Sequence, residues 1–404
     1  MKEMKETNRI SQFASSGSTA AVHAGEDRRK PYAALTTPVV QTSTYTFENS
    51  AEIMEFVRRK EAGGPDLRDE YGRYSNPTQR AVERKLASLE GAERALLFAS
   101  GMCAITTALL TILERGDHLI MVGEAYRRTC EFLEDWLPRW GMTAARAAAD
   151  DPASWESAVR PSTRLIYAEV PSNPYLRVAD LDRLSALAKK RGLLAAVDAT
   201  FATPVNLRPL EHGADLVLHS ATKYLGGHND LLAGVVAAPA ALASRIEKAR
   251  GVLGGVGSPH DAYLLLRGLK TLDLRLRRQN ENGRLVAEFL DSHPTVSRVF
   301  YPGLPSHPDH GTARRLMNGF GGVISFEVKG GLERTSLFID RLRLPYIGPT
   351  LGGVESIVQQ QALFLSSNPE TRRKSGIADN LVRYALGIED AADIIADLKQ
   401  ALEF

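Results

Sequence analysis

Between residues 90 and 240, short apolar runs alternate with stretches of helical spacing, and that alternation limits the fold more than any other feature of the 404-residue chain. The runs ALLFAS (95–100), HLIMVG (118–123), TRLIYAEV (163–170), LLAAVDAT (193–200), ADLVLHS (214–220) and GVVAAP (234–239) read as buried strands. Between them, Gly101 opens an apolar helix through Ile112, and the segment from Tyr126 to Trp140 has helical spacing. In LDRLSALAKKRG (181–192), Leu181, Leu184, Leu187 and Ala188 share one helical face. Apolar strands alternating with helices predict an α/β fold, a mostly parallel sheet covered on both faces. Open sheets of this kind bind ligands at the carboxyl ends of their strands, so polar residues there carry the most weight.

Residues 1–68 lack this rhythm. They combine β-like pieces, TTPVVQTSTYTF (36–47), with a charged segment, FVRRKEAGGPDLRDE (56–70). The expectation is an arm, 1–68, that packs on a neighbouring subunit; a flexible tail is the alternative. Residues 69–268 form the large domain. Beyond about 270 a helix precedes strands such as GGVISFEV (321–328), and the chain ends in a helical pattern, DAADIIADLKQAL (390–402). That predicts a smaller α+β domain over 269–404.

Charge narrows the partners. Lys plus Arg number 50 and Asp plus Glu 48, a net charge of +2, which gives no electrostatic reason to expect nucleic acid or a membrane surface. No apolar run is long enough to span a bilayer, and the polar start MKEMKETNRISQ lacks the apolar core of a secretion signal. Two cysteines, Cys103 and Cys130, cannot form a disulfide framework. A cytoplasmic protein is expected.

Phosphate-loop, dinucleotide, zinc-protease and nucleophile-elbow signatures are absent. His307 and His310 have a metal-like spacing, but Pro308 lies between them and no further ligand follows, so a solvated turn and no metal is expected. Three strand ends remain. Asp198 closes an apolar run, where an acid needs a cationic partner or serves as a turn cap. Lys223 follows ADLVLHS among Ser220, Thr222 and two glycines; desolvated there it is an amine nucleophile or base, and otherwise a surface lysine. SGM (100–102) turns a strand into a helix, whose first N–H groups hold phosphate well. A phosphorylated cofactor with a carbonyl for Lys223 and a ring nitrogen for Asp198 meets all three demands, and pyridoxal phosphate is such a molecule.

The motifs YGRYSNPT (71–78), EVPSNP (169–174), VDATFATP (197–204), HSATKYLGGHND (219–230), RGLKTL (267–272) and YPGLPSHP (301–308) carry a resemblance. With AVHAGE (21–26) and LVRYALGIED (381–390) they span nearly the whole chain, which resembles the transsulfuration, or Cys/Met metabolism, family of pyridoxal-phosphate enzymes. The resemblance implies the fold-type I, aspartate aminotransferase-like architecture. Within the family the likeness is greatest to plant-type cystathionine γ-synthases, through AYRRTCEFLEDWLP (125–138), VLGG (252–255) and GFGGVISFE (319–327).

The same resemblance implies roles. Lys223 matches the lysine that holds pyridoxal 5'-phosphate as a Schiff base, and Asp198 the aspartate on the ring nitrogen. Gly101, Met102, Ser220 and Thr222 match phosphate ligands. Tyr71 and Arg73 match residues that reach the neighbouring subunit's cofactor phosphate, which implies a homo-oligomer with shared sites, in this family a tetramer built as a dimer of dimers. Tyr126 matches the tyrosine stacked on the ring and acting with the lysine, Asn173 the group near the phenolic oxygen, and Arg383 the clamp on the substrate carboxylate.

The chain departs from the family pattern at Ala199, at Thr350 before LGG, which the resemblance places near the substrate carboxylate, and in QQQALFLS (359–366); Thr350 and 359–361 alter the substrate pocket and keep elimination open. Arg127 and Arg128 stand where plant-type synthases carry basic residues, so Arg128 is a candidate for an anionic leaving group, or else a surface arginine at a helix start. The activity implied is γ-substitution on an activated homoserine, with cysteine entering. The alternatives are γ-elimination from a γ-substituted amino acid and, from another class, a non-catalytic regulator on the same fold.

Overall fold

Residues 17–62, 68–374 and 376–403 are described by the computed structural model. The six apolar runs all become strands: β1 (Arg94–Phe98), β2 (His118–Val122), β4 (Thr163–Glu169), β5 (Leu194–Asp198), β6 (Leu216–Ser220) and β7 (Gly234–Ala238). With β3 (Thr143–Ala147) they form one seven-stranded sheet in the order β1-β7-β6-β5-β4-β2-β3, in which β7 alone runs against its neighbours. β3 was not legible as a strand, because TAARA has no apolar run and lies half-exposed at the sheet edge.

Both faces of the sheet are covered, which is why its strands are continuously apolar rather than alternating. On one face Leu96, Tyr167, Leu216 and Leu218 pack with Ile105, Ala108 and Leu109 of helix Gly101–Ile112. On the other, Leu97, Val217 and Val235 meet Val82 and Leu86 of helix Pro77–Glu90 and Leu265 and Leu269 of helix Pro259–Leu269. The helices begin where their sequences cap them. The Asn76 side chain accepts the N–H groups of Thr78 and Gln79, and Asp180 accepts that of Arg183.

Helix Leu272–Asp291 leads into a second sheet. Its strands are β8 (Val296–Phe300), β9 (Val323–Val328), β10 (Tyr346–Ile347), β11 (Ile357–Gln360) and β12 (Leu381–Ala385), in the order β10-β11-β12-β9-β8. Ile324, Phe326 and Tyr384 pack there against Val286 and Leu290, Phe338, and Ile394 and Leu398 of the final helix, Ala391–Leu402.

The amino-terminal expectation needs correcting in detail. Residues 1–16 and 63–67 of the expected arm lie outside the described residues. Elsewhere the arm holds helices Gly17–His23 and Ser50–Glu61, and the β-like stretch 36–47 contributes only an isolated bridge, Thr44 with Tyr71. Among the described residues its β-branched side chains have no neighbouring strand to pair with beyond that bridge. Tyr32 and Leu35 are more than nine-tenths exposed. The turn at 307–311 is also unlike its expectation, because His307 is buried rather than solvated. Its ring contacts the Tyr175 carbonyl and accepts the Asp309 N–H, while Asp309 binds Arg177 at 2.7 Å.

Candidate active site

The carboxyl ends of β4, β5 and β6 deliver Glu169, Asp198 and Ser220, and the turn after β6 delivers Lys223. The lysine is fixed from several directions. Its amine donates to Thr350 Oγ1 at 2.8 Å. The following carbonyl, Tyr224 O, accepts from the buried Arg275 at 2.7 Å, and Arg275 also reaches Gly268 O. Gly352, at φ +83°, lies so close that a Cβ there would stand 2.6 Å from the Tyr224 nitrogen. Burial and the Arg383 charge bring the Lys223 ammonium down from 10.5 to about 8, so about a tenth is free amine at pH 7.

Asp198 is 4% exposed. Its Oδ1 accepts from Thr200 twice, from the N–H at 3.0 Å and from the hydroxyl at 2.6 Å. Thr200 Oγ1 in turn accepts the Ser220 N–H at 2.8 Å, tying β5 to β6. Burial pushes the Asp198 carboxyl up, opposed by the Thr200 bonds, the His219 charge and the Tyr167 hydroxyl; among the described residues no lysine or arginine pairs with it. Asp198 thus closes a local turn through Thr200.

Ser100 caps helix Gly101–Ile112, accepting the Cys103 N–H at 3.1 Å. Gly101 presses on Ser220, where a Cβ would lie 2.8 Å from the serine Cβ, so the helix start and the β6 end form one cradle. Met102 borders it, its sulfur 3.8 Å from the Thr129 hydroxyl. Thr222 faces the other way, exchanging hydrogen bonds with Ala233 of the backbone. Tyr126 stands half-exposed at the start of helix Arg127–Glu131, its N–H donated to Glu169 at 2.7 Å.

Arg383, on β12, is 5% exposed and touches no carboxylate. It donates to Asn173 Oδ1 at 3.1 Å, Thr350 O at 3.3 Å and Gln359 Oε1 at 2.8 Å, and its Nε has no partner. Burial lowers this guanidinium to about 10. A buried cation satisfied only by neutral acceptors is prepared for an anion. Arg128, by contrast, is exposed and already paired with Glu131 at 2.6 Å.

One connected set thus holds Lys223, Thr350, Arg383 and Asn173, and a second joins Asp198, Ser220, Gly101, Glu169 and Tyr126. Tyr71 and Arg73 belong to neither. Arg73 contacts Gly251 O and stacks on Tyr74, and with Tyr74 it lines a groove between the arm and helix Ala240–Leu253. Sequence reasoning gave no role to Glu169, Thr200 or Arg275, and marked Gln359 only as part of the altered run 359–361. The signal for Glu169 was present, since it ends an apolar strand as Asp198 does.

These residues fit pyridoxal phosphate. There is a partly deprotonated buried amine for its carbonyl, an unpaired buried carboxylate for its ring nitrogen, and a glycine-fitted helix start for its phosphate.

The Cys/Met metabolism PLP-dependent enzyme family matches residues 18–403. Cystathionine gamma-synthase 1, chloroplastic, of Arabidopsis thaliana is 48% identical over 396 residues, covering 97% of this chain and 69% of that protein. L-methionine gamma-lyase of Pseudomonas putida is 41% identical over 404 residues, 99% of each. The crystal structure of MetB from Corynebacterium glutamicum aligns with a TM-score of 0.87 at 35% identity, covering 96% of this chain and 97% of that one.

Proposed function

The chain belongs to the Cys/Met metabolism PLP-dependent enzymes, and from that premise we propose that it replaces the γ-substituent of an activated homoserine with cysteine, forming cystathionine. It is a pyridoxal-phosphate-dependent transsulfuration enzyme of the fold-type I class. The observation that carries the proposal is the buried Arg383, bonded only to the neutral acceptors of Thr350, Asn173 and Gln359 beside the Lys223 amine. An α-carboxylate bound there brings the amino acid's α-carbon to the lysine.

Pyridoxal phosphate supplies an electron-withdrawing ring conjugated to the substrate α-carbon. The chain's residues do the rest. Lys223 would hold the cofactor carbonyl, and its amine, when free, would move protons at the substrate's Cα and Cβ. Asp198, steadied by Thr200, would hold the proton on the ring nitrogen. The N–H groups of Gly101 and Met102 and the hydroxyls of Ser220 and Thr222 would hold the phosphate. Tyr126 would pack on the ring and protonate the leaving group or assist the lysine. Asn173 would serve the phenolic oxygen.

Tyr71 and Arg73, outside both connected sets, complete the phosphate site of a second copy, in a tetramer assembled as a dimer of dimers. The division into arm (1–68), large domain (69–268) and carboxyl-terminal domain (269–404) follows from the same reading. A cytoplasmic location is supported by two free cysteines and by the absence, among the described residues, of any helix long and apolar enough to cross a membrane.

γ-Replacement is preferred to γ-elimination because the plant synthases are 48% and 46% identical and the lyase 41%. The second reading has one observation behind it: Arg128, the candidate for an anionic leaving group, is occupied by Glu131. Mass-spectrometric product analysis with O-phospho-, O-succinyl- and O-acetylhomoserine, each with and without cysteine, decides between them. Cystathionine formed only with cysteine is expected; 2-oxobutyrate alone would overturn the proposal in favour of a lyase.

A further inference from the structure

Glu169 and Asp198 are direct neighbours on parallel strands, β4 and β5, paired in register, so both side chains leave the same face of the sheet. Both are at least 95% buried. Two carboxylates so placed cannot both keep a charge without a cation between them. The groups facing Glu169 supply none. Asp198 lies on β5, Glu124 precedes Tyr126 in the loop after β2, Tyr167 is on the same strand, and Cys130 faces it from helix Arg127–Glu131. Arg383 on β12 senses Glu169, but its hydrogen bonds go to Asn173, Thr350 and Gln359, and His219 on β6 faces Asp198 while paired with Glu90.

The hydrogen bonds decide which carboxyl keeps its charge. Asp198 receives two donors from Thr200 on a single oxygen. Glu169 Oε2 receives the Tyr126 N–H and the carboxyl also faces the Asn173 N–H, while no well-formed hydrogen bond closes on its buried Oε1. An ionised carboxylate would leave charge on that unsolvated oxygen; a carboxylic acid does not.

We propose that Glu169 is a positioning residue of the cofactor site, held as a neutral carboxylic acid that anchors the Tyr126 backbone and leaves Asp198 as the single negative charge beneath the ring. This rests on the assignment of Tyr126 and Asp198 to the cofactor. Burial, followed by the Asp198 charge, drives the Glu169 carboxyl well above its ordinary range, in the same sense. The anchoring explains how an exposed aromatic at the start of a five-residue helix keeps one position.

The test uses infrared spectra and cofactor titrations of the loaded enzyme. A protonated-carboxyl C=O band in the wild type should vanish in E169Q. E169A should weaken pyridoxal-phosphate binding by about tenfold, and E169Q, which keeps a neutral acceptor for the Tyr126 N–H, should recover most of it. The pH midpoint of the bound cofactor's visible band should agree between E169Q and wild type. A band unchanged in E169Q, or a midpoint moved by about one pH unit, would mean that Glu169 carries charge and would overturn the proposal. So would wild-type binding in E169A. If E169A does not fold, E169Q decides alone through the band and the midpoint. A wild type that shows no visible band on adding pyridoxal phosphate would refute the cofactor assignment instead, and with it this proposal's foundation.

Discussion

Lys223 and Thr350 meet through one hydrogen bond of 2.8 Å, the amine donating to the hydroxyl, across 127 residues of sequence. The lysine sits in the turn after β6 of the first sheet, and the threonine lies between β10 and β11 of the second. The same threonine's carbonyl accepts from Arg383. Thr350 thus touches both the proposed cofactor-binding amine and the proposed carboxylate clamp.

Replacing Thr350 separates these two contacts. Its carbonyl survives any substitution, so the Arg383 contact persists, while the hydroxyl is lost in T350A. The expected cost is about 1 kcal/mol, a roughly fivefold fall in kcat/KM. T350S should be nearly unchanged, because the hydroxyl remains. Steady-state kinetics of both variants checks this, and equal losses would show that the methyl group rather than the hydroxyl matters.

The Lys223 amine should give a pH signature. Its reactive form is the neutral amine, and a value near 8 instead of 10.5 makes about a quarter of it neutral at pH 7.5. The rate at which cofactor-free protein recombines with pyridoxal phosphate should therefore rise through pH 8 and level off above it. Arg383 is the second cause of the shift after burial, so R383M should move that midpoint upward. Stopped-flow absorbance across pH 6–10 reads both; a rise centred near 10 would mean that the lysine is not desolvated.

Much of this site was readable in the chain because its residues sit where apolar runs stop. Asp198 and Lys223 stand out against LLAAV and ADLVLH since an unpaired charge beside a buried strand is costly. Thr200 was hidden, because a threonine in a strand-like run needs no explanation until its two bonds to Asp198 are seen. Gln359 stood out as a departure in QQQALFLS, but its partner did not. Its bond to Arg383 crosses from β11 to β12, an antiparallel register that local spacing does not encode. The edge strand β3 was missed because its small, half-exposed residues have no apolar partner layer to advertise them.

Arg383 should control substrate rather than cofactor. It is buried, has no carboxylate partner, and keeps Nε idle. R383A should reduce kcat/KM by about a hundredfold or more, the loss of a charge-assisted bidentate contact, while the visible spectrum of the bound cofactor remains. Kinetics and absorbance on one preparation test this. Loss of the cofactor band would instead make the arginine part of the cofactor site.

Gly101 should be intolerant of any side chain. An alanine Cβ would stand 2.8 Å from Ser220 Cβ and 2.9 Å from Ser220 Cα, and neither atom belongs to a flexible group that can swing away. G101A should push the helix start off the β6 end and raise the Kd for pyridoxal phosphate by about tenfold or more. A fluorescence titration with the cofactor measures this. Unchanged affinity would move the phosphate away from this helix.

The arm is held by charge as well as by packing. Glu26 lies 3.3 Å from Lys85 and 3.1 Å from Lys270, and Lys85 is wholly buried, also donating to Ala21 O and Val22 O. Burial alone would raise the Glu26 carboxyl, but Lys270 and Lys85 overcome it and hold it below the usual range. A carboxyl with a depressed native value stabilises the fold above its unfolded value and loses that contribution as the pH falls through the native one. E26Q removes the contribution and leaves Lys85 buried beside a neutral amide, at a cost of about 3 kcal/mol at pH 7. The double variant E26Q/K85M, which buries no unpaired charge, should recover most of that loss. Thermal unfolding at pH 7 and pH 4 separates the cases. A double variant as unstable as E26Q would show that the arm is held by the Lys85 contacts to backbone carbonyls and not by its ion pair.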